Sequence, residues 1–300
     1  MRNRNHFIKK HSEEISAYAF ALPFLILFTI FTVIPVVISV FLSFTDFNML
    51  QTPQFVFTSN YTTLILDDDI FIKALSNTLL FAVIIGPGGY LLCFFFAWCL
   101  NELNAKIHSL FLLCLYAPSI SGNAYLIWTL IFNGDSYGYL NGLLLNLGII
   151  YEPIRFFNNT QYMVPLVIVV LLWMSLGTSL LVFVAGFQGI DRSLYEAAAV
   201  DGMKNRWQEL WFITLPAMKP QLLFSAVMSI TSAFGIGDAI TGLTGNPSTK
   251  YAAHTLMHHL QDYGNTRFEM GYACAIATIL FILMVGTNKI IQKLLANVGE

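Results

Sequence analysis

Side chains able to do chemistry are sparse in this 300-residue chain, and they gather in four places. The densest is SLYEAAAVDGMKNRWQELWFITLP, residues 193–216, where charges, three alanines, a Gly and a Pro stand between almost wholly apolar stretches. Ser193 and Glu196 have capping-box spacing, each side chain able to satisfy the other's backbone N–H, so a helix is predicted to start there. Ala197, Ala198 and Ala199 give it strong propensity and almost no bulk, and Gly202 is free to take the left-handed conformation that ends it. Asn205 and Gln208 repeat the cap-plus-three pattern for a second helix, with Trp207, Leu210 and Trp211 on one face. Trp suits the headgroup level, so this helix is expected to lie along a membrane surface until Pro216 breaks it. Glu196 then has two readings, a helix cap or a contact made by a smooth helix with a soluble partner. Spacing leaves both open.

The second place is a set of hydroxyls, Ser175, Thr178 and Ser179 beside Trp173, with Ser229, Thr231 and Ser232 further on. Such residues can hold a hydroxyl-rich ligand, and they can equally pack helix on helix. The third is His254, His258 and His259, spaced i, i+4 and i+5. A zinc site needs a third or fourth convergent ligand, none is evident, and an external surface helix is expected instead. The fourth, Asp67-Asp68-Asp69, reads as a solvated loop. No G-x-x-x-x-G-K-[ST] phosphate loop occurs, so the chain is not expected to bind ATP by that device.

The elements that must position these residues are set by composition. At 56% hydrophobic and 11% charged the chain lies far from the roughly 25% charged of a soluble domain and reads as a membrane protein. A near-even charge balance, 15 basic against 17 acidic residues, offers no basic stripe for nucleic acid. Six runs reach the roughly 20 residues a bilayer core requires: 17–44, 74–100, 109–132, 163–187, 221–240 and 270–291. The first, kinked at Pro23 and Pro35, is expected to be retained and not cleaved as a signal. Cys93, Cys99, Cys114 and Cys274 lie inside such runs and read as small buried hydrophobes.

Lys and Arg are held on the cytoplasmic side of membranes. With the N-terminus inside, Arg2, Arg4, Lys9, Lys10, Lys106, Arg192, Lys204, Arg206, Lys219, Lys289 and Lys293 are internal, and only Lys73, Arg155, Lys250 and Arg267 are external. Both termini are therefore expected in the cytoplasm, with a tail at 1–16, a transmembrane domain at 17–300 and its longest internal loop at 188–219. No ionisable residue falls at the middle of any run, which disfavours an ion-coupled secondary carrier. A membrane-embedded enzyme would need a surface cluster of His or carboxylates, and Asp67–Asp69 is the nearest thing available.

Glu196-Ala197-Ala198, Gly202 and Ile213-Thr214-Leu215-Pro216 resemble the signature loop of permease subunits of binding-protein-dependent ABC importers. Trp173, Ala185-Gly186-Phe187-Gln188-Gly189-Ile190, Asp201-Gly202 and Trp207-Gln208 resemble its carbohydrate branch, the maltose and multiple-sugar type. So do Pro118, Trp128, Phe132, Gly138, Asn141, Asn246-Pro247 and Gly271-Tyr272-Ala273, and the likeness covers nearly the whole chain. Two departures stand out: one extra residue between Gly202 and Ile213, placed at 203–206, and Gly237-Asp238 within the family's F-D-x-I-x-x-L-T. The resemblance implies an all-α polytopic fold of six transmembrane helices, the type I importer permease fold, and no catalysis on this chain. It implies assembly in membrane lipid with a second permease, an external solute-binding protein and an ABC ATPase dimer, on which ATP and Mg would reside. Glu196, Ala197, Ala198, Asp201, Gly202, Leu215 and Pro216 would form the coupling element seated on the ATPase. Trp173, Met174, Ser175, Thr178, Ser229 and Ser232 would line the path of a sugar.

Overall fold

The computed structural model describes residues 18 and 20–296. Among the described residues the regular structure is helical, apart from one isolated bridge between Thr45 and Phe55.

Helix α3, Asp69–Asn101, is the axis of the molecule. At 1.5 Å per residue it rises about 50 Å, more than the roughly 30 Å of a bilayer core. Asp68 caps it by accepting from the Phe71 N–H at 2.8 Å. Phe71, Ala74, Thr78, Phe81, Ile85, Gly86, Gly89, Cys93, Ala97 and Leu100 are its buried residues, a stripe of helical period, while Val83, Leu91 and Phe95 stay exposed. Against the stripe pack α7 (Thr160–Met174), α8 (Thr178–Gln188) and α11 (Lys219–Phe234). The last long helix, α14 (Met270–Ala296), lies on α11 and also receives the C-terminal part of α1 (Phe20–Leu42). A short helix, α2 (Ser59–Leu66), precedes α3.

Among the described residues three helices are long and apolar enough to cross a membrane unaided: Phe20–Leu42, Asp69–Asn101 and Met270–Leu295. The other three expected spans are broken. Helix α4 (Ala105–Ile120) turns by 93° into α5 (Tyr125–Ile131), α7 meets α8 at 43°, and α10 (Arg206–Ala217) meets α11 at 80°. The run expected at 221–240 stops at Phe234 and resumes as α12, Gly237–Thr244. In α1 a π turn, Thr29–Val33, stands just ahead of Pro35. In chain order α6 (Tyr139–Asn146) lies between α5 and α7, and α9 (Arg192–Val200) between α8 and α10.

The apolar interior is divided. One cluster joins Phe81 and Ile85 to Met163, Val167, Leu171, Ala233 and Ile240. A second joins Cys93 and Ala97 to Leu176, Leu180, Phe183, Met218 and Leu222. The division falls where α7 gives way to α8, and Gly89 of α3 sits there. A Cβ on Gly89 would stand 2.5 Å from Ser175 Oγ, so glycine lets the end of α7 press onto the axis. Cysteine burial departs from expectation, since Cys93 is buried while Cys99 and Cys114 are exposed. Phe20, Phe31, Phe41 and many other apolar side chains are also exposed, as befits a surface covered by lipid or by another chain.

Candidate functional site

At one end of the molecule α9 and α10 form the helix–turn–helix read from the sequence. The cap of α9 is different from the one expected. Asp191 is the N-cap and accepts from the Ser193 N–H at 3.0 Å; Ser193 is already in the helix, and Glu196 is exposed. That hydrogen bond is the first cause holding the Asp191 carboxyl below its ordinary range. An acidic residue two positions upstream of Ser193 outcompeted the Ser–Glu pair. The end of α9 is as expected: Gly202 has φ +92°, Met203 N–H donates to Ala198 O at 3.0 Å and Gly202 N–H to Ala199 O at 3.2 Å. These are the paired bonds of a Schellman stop.

Asn205 caps α10 by accepting from the Trp207 N–H, and Gln208 accepts from the Lys204 N–H at 3.4 Å. Within α10, Leu210–Thr214 is a π turn. A π turn holds one residue more than an α turn, so the surplus residue has a place inside this helix as well as in the turn at 203–206. Leu210 is buried, while Trp207 and Trp211 are exposed, so the three do not share an environment. The break follows Met218, where Pro220 begins α11; Pro216 lies inside α10 just after the π turn, and Leu215 beside it is half-buried.

Long-range contacts anchor this loop to the axis. Arg206 bonds Glu102, just past the end of α3, at 3.0 Å and Glu209 at 2.9 Å, and Trp207 lies against Trp98. Tyr195 of α9 pairs its hydroxyl with Thr214 of the π turn at 2.9 Å. Glu196, Ala197, Asp201 and Gly202 remain exposed on the far side of α9, and Ala198 is its buried residue.

The second site is a cavity of about 430 Å³ at mid-height. It is lined by Ile85, which stands midway along α3, and by residues at or near one end each of α4, α7, α8, α11 and α12. Ser119 and Ser121 come from the end of α4, Met174 and Ser175 from the end of α7, Thr178 and Ser179 from the start of α8, Ser229 and Ser232 from α11, and Asp238 from α12. Five of the six residues expected on a sugar path therefore meet around one space. Trp173 does not line it; its ring stands edge-on to Trp128, with centroids 5.5 Å apart. Some hydroxyls are partly spent on structure: Ser119 donates to Leu176 O, Ser175 to Leu172 O, and Ser179 pairs with Ser229. Asp238 changes the picture of charge. Read as the end of a span it lies off the midplane, but the early stop of α11 turns it onto the wall shared with Ile85.

The end opposite the loop overturns two expectations. His254, His258 and His259 are not on a surface; each is at most 3% exposed. His259 Nε2 meets Asp68 Oδ2 at 2.9 Å, and Tyr272 donates its hydroxyl to the same oxygen at 2.9 Å. Asp68 is thus a partly buried hub and not a solvated loop residue. Burial alone would raise its carboxyl, but the hydrogen bonds from Phe71 and Tyr272 and the charge of His259 bring it below the usual range. Burial pushes His254 down to about 4 and lowers His258 as well. Among the described residues no group of three or more His, Cys, Asp or Glu is placed to hold a metal ion. Asn141, buried, bonds Asn133 O and both the N–H and O of Ile154, pinning the segment between α5 and α7.

Helices broken around a hydroxyl-lined cavity, with a helix–turn–helix projecting at one end, define a polytopic membrane subunit of the transport class. Residues 2–296 match the family described as "Binding-protein-dependent transport system inner membrane component", and the chain belongs to that family. It is 31% identical over 290 residues to the arabinooligosaccharides transport system permease protein AraP of Bacillus subtilis (strain 168), covering 95% of this chain and 90% of AraP. It is 30% identical over 292 residues to the lactose transport system permease protein LacF of Rhizobium radiobacter, covering 94% of each. In fold it resembles a chain of a bacterial alginate ABC transporter crystallised with an alginate pentasaccharide-bound periplasmic protein. The TM-score is 0.78 at 22% identity, over 94% of both chains. The all-α permease fold follows, and the chain is an ABC importer permease and not an ion-coupled carrier.

Proposed function

We propose that this chain is one of two permease subunits of an ATP-driven importer of a sugar or oligosaccharide. The observation that carries the reading is the mid-height cavity where five elements end or begin. Irregular backbone at membrane depth is tolerated only where protein buries it or a water-filled space meets it, and the hydroxyls lining the cavity suit a polyhydroxylated cargo. The names of the relatives, transporters of arabinooligosaccharides and of lactose, support the same cargo class.

The loop at 188–219 lies on the cytoplasmic side, a placement the asymmetry of Lys and Arg supports, and the cavity opens in turn to each side. The N-terminal tail at 1–16, also placed inside, falls outside the described residues. Helix α9 seats its exposed Glu196, Ala197, Asp201 and Gly202 on an ABC ATPase dimer, which holds ATP and Mg and does the hydrolysis. The bond from Tyr195 to Thr214 passes its displacement to α10, and the bond from Arg206 to Glu102 passes it from α10 to the end of α3. An external solute-binding protein delivers the cargo at the Asp68 end.

Purification of the tagged chain from its native membrane is expected to bring a second permease and an ATPase in fixed ratio, and uptake in reconstituted vesicles is expected to follow ATP. Uptake that collapses with an uncoupler and survives ATP depletion would refute the proposal.

A further inference from the structure

The cavity carries one charged side chain among the described residues, Asp238. It stands in the first turn of α12, where the positive end of the helix dipole steadies a carboxylate. It is exposed, and none of the ion pairs among the described residues includes it. Its oxygens are therefore open to whatever fills the cavity, at the level of Ile85 near the middle of the axis. An ionisable group at that depth is costly and is kept for a purpose.

A carboxylate is an acceptor only, and it bonds O–H donors more strongly than a neutral oxygen does. Two neighbouring hydroxyls of a sugar ring can each donate to one of its oxygens. Thr178, Ser229 and Ser232 flank the same space and can accept as well as donate. Among the described residues no Lys or Arg lines it, so a cargo bearing its own carboxylate would meet a like charge without compensation. We propose that Asp238 is the specificity-determining residue of the cavity, receiving two adjacent hydroxyls of an uncharged sugar and turning sugar acids away. This deepens the permease reading and rests on it.

The test uses the whole importer, with the four native cysteines replaced and Thr178→Cys as a reporter in the cavity. Labelling by a trimethylammonium thiosulfonate is expected to outpace labelling by the sulfonate reagent of similar size by about tenfold, because a walled space focuses the field of its charge. Asp238→Asn is expected to bring that ratio close to one, and Asp238→Glu to retain it. In a second arm with Thr178 restored, uptake of arabinotriose, lactose and raffinose is measured. For whichever the intact importer carries, Asp238→Asn is expected to raise KM about tenfold with subunit ratios unchanged, the size of one charge-assisted hydrogen bond. An unchanged labelling ratio in Asp238→Asn overturns the proposal, and so does an unchanged KM. Failure of the intact importer to carry any of the three sugars counts against the sugar reading itself, while the labelling ratio still decides whether Asp238 sets the charge of the cavity.

Discussion

The loop at 188–219 and the mid-height cavity are both made of helix ends, and they treat those ends in opposite ways. In the loop three ends are closed by a neighbour in sequence: Asp191 caps α9, Gly202 stops it, and Asn205 caps α10. In the cavity α8 starts at Gly177 and α12 at Ile236, neither with a side-chain cap. The loop sits where water could have satisfied its backbone and is capped all the same. The cavity lies at membrane depth, where an uncapped end costs several kcal/mol unless something polar meets it. Closed ends make a stiff lever, and open ends make a place where a passing ligand replaces water.

The largest effect is expected from opening a closed end. A Cβ on Gly202 would meet no atom within 4 Å, so substitution there reports the backbone alone. At φ +92° a β-branched residue is strained by about 1–3 kcal/mol, enough to move the turn and misplace α9. Gly202→Val is expected to leave the chain in the membrane while abolishing most recovery of the ATPase and most substrate-stimulated ATP hydrolysis. Full stimulation at normal subunit ratios would show that α9 is not the coupling element.

An intermediate effect is expected where the ends are open. Thr178 is the first residue of α8 and faces the cavity. Thr178→Leu removes a hydroxyl and fills space, so uptake of the cognate sugar should fall severalfold with the complex intact. Unchanged kinetics would make Thr178 a packing residue and leave the cavity without a polar role on that wall.

The same contrast explains what the sequence discloses. The loop was legible because its signals lie within a few residues: alanines, a glycine and an Asn cap act locally. The hydroxyls of the cavity were legible as types but not as a place, since they come from four elements brought together by the fold. Asp238 was misplaced because hydropathy carried the fifth run past Phe234, whereas Gly235 and Gly237 end one helix and begin another. Pro118, Ser121 and Gly122 could have flagged the break between α4 and α5. The buried histidines were missed because polarity was taken for exposure; Asn77 donates to Tyr251 O and His254 O and Thr78 accepts from the Leu256 N–H, drawing that segment onto α3. No local pattern encodes those pairings.

The smallest expected effects separate capping from docking within the loop itself. Asp191 holds the start of α9, and loss of an N-cap costs about 1 kcal/mol. Because α9 is also fixed at its far end by the Gly202 turn and at its middle by Tyr195, Asp191→Ala should fray the first turn without detaching the helix. Glu196 is exposed and is not the N-cap, so Glu196→Gln costs the isolated chain almost nothing. If Glu196 meets a cation on the ATPase, its neutralisation should weaken ATPase recovery a few-fold, and more at low salt than at high salt, because exposed charge pairs are screened. Asp191→Ala should lower thermal stability slightly and show no such salt dependence. Equal, salt-independent losses in the two variants would mean that Glu196 acts only through the helix, and the exposed face of α9 would then dock by shape alone.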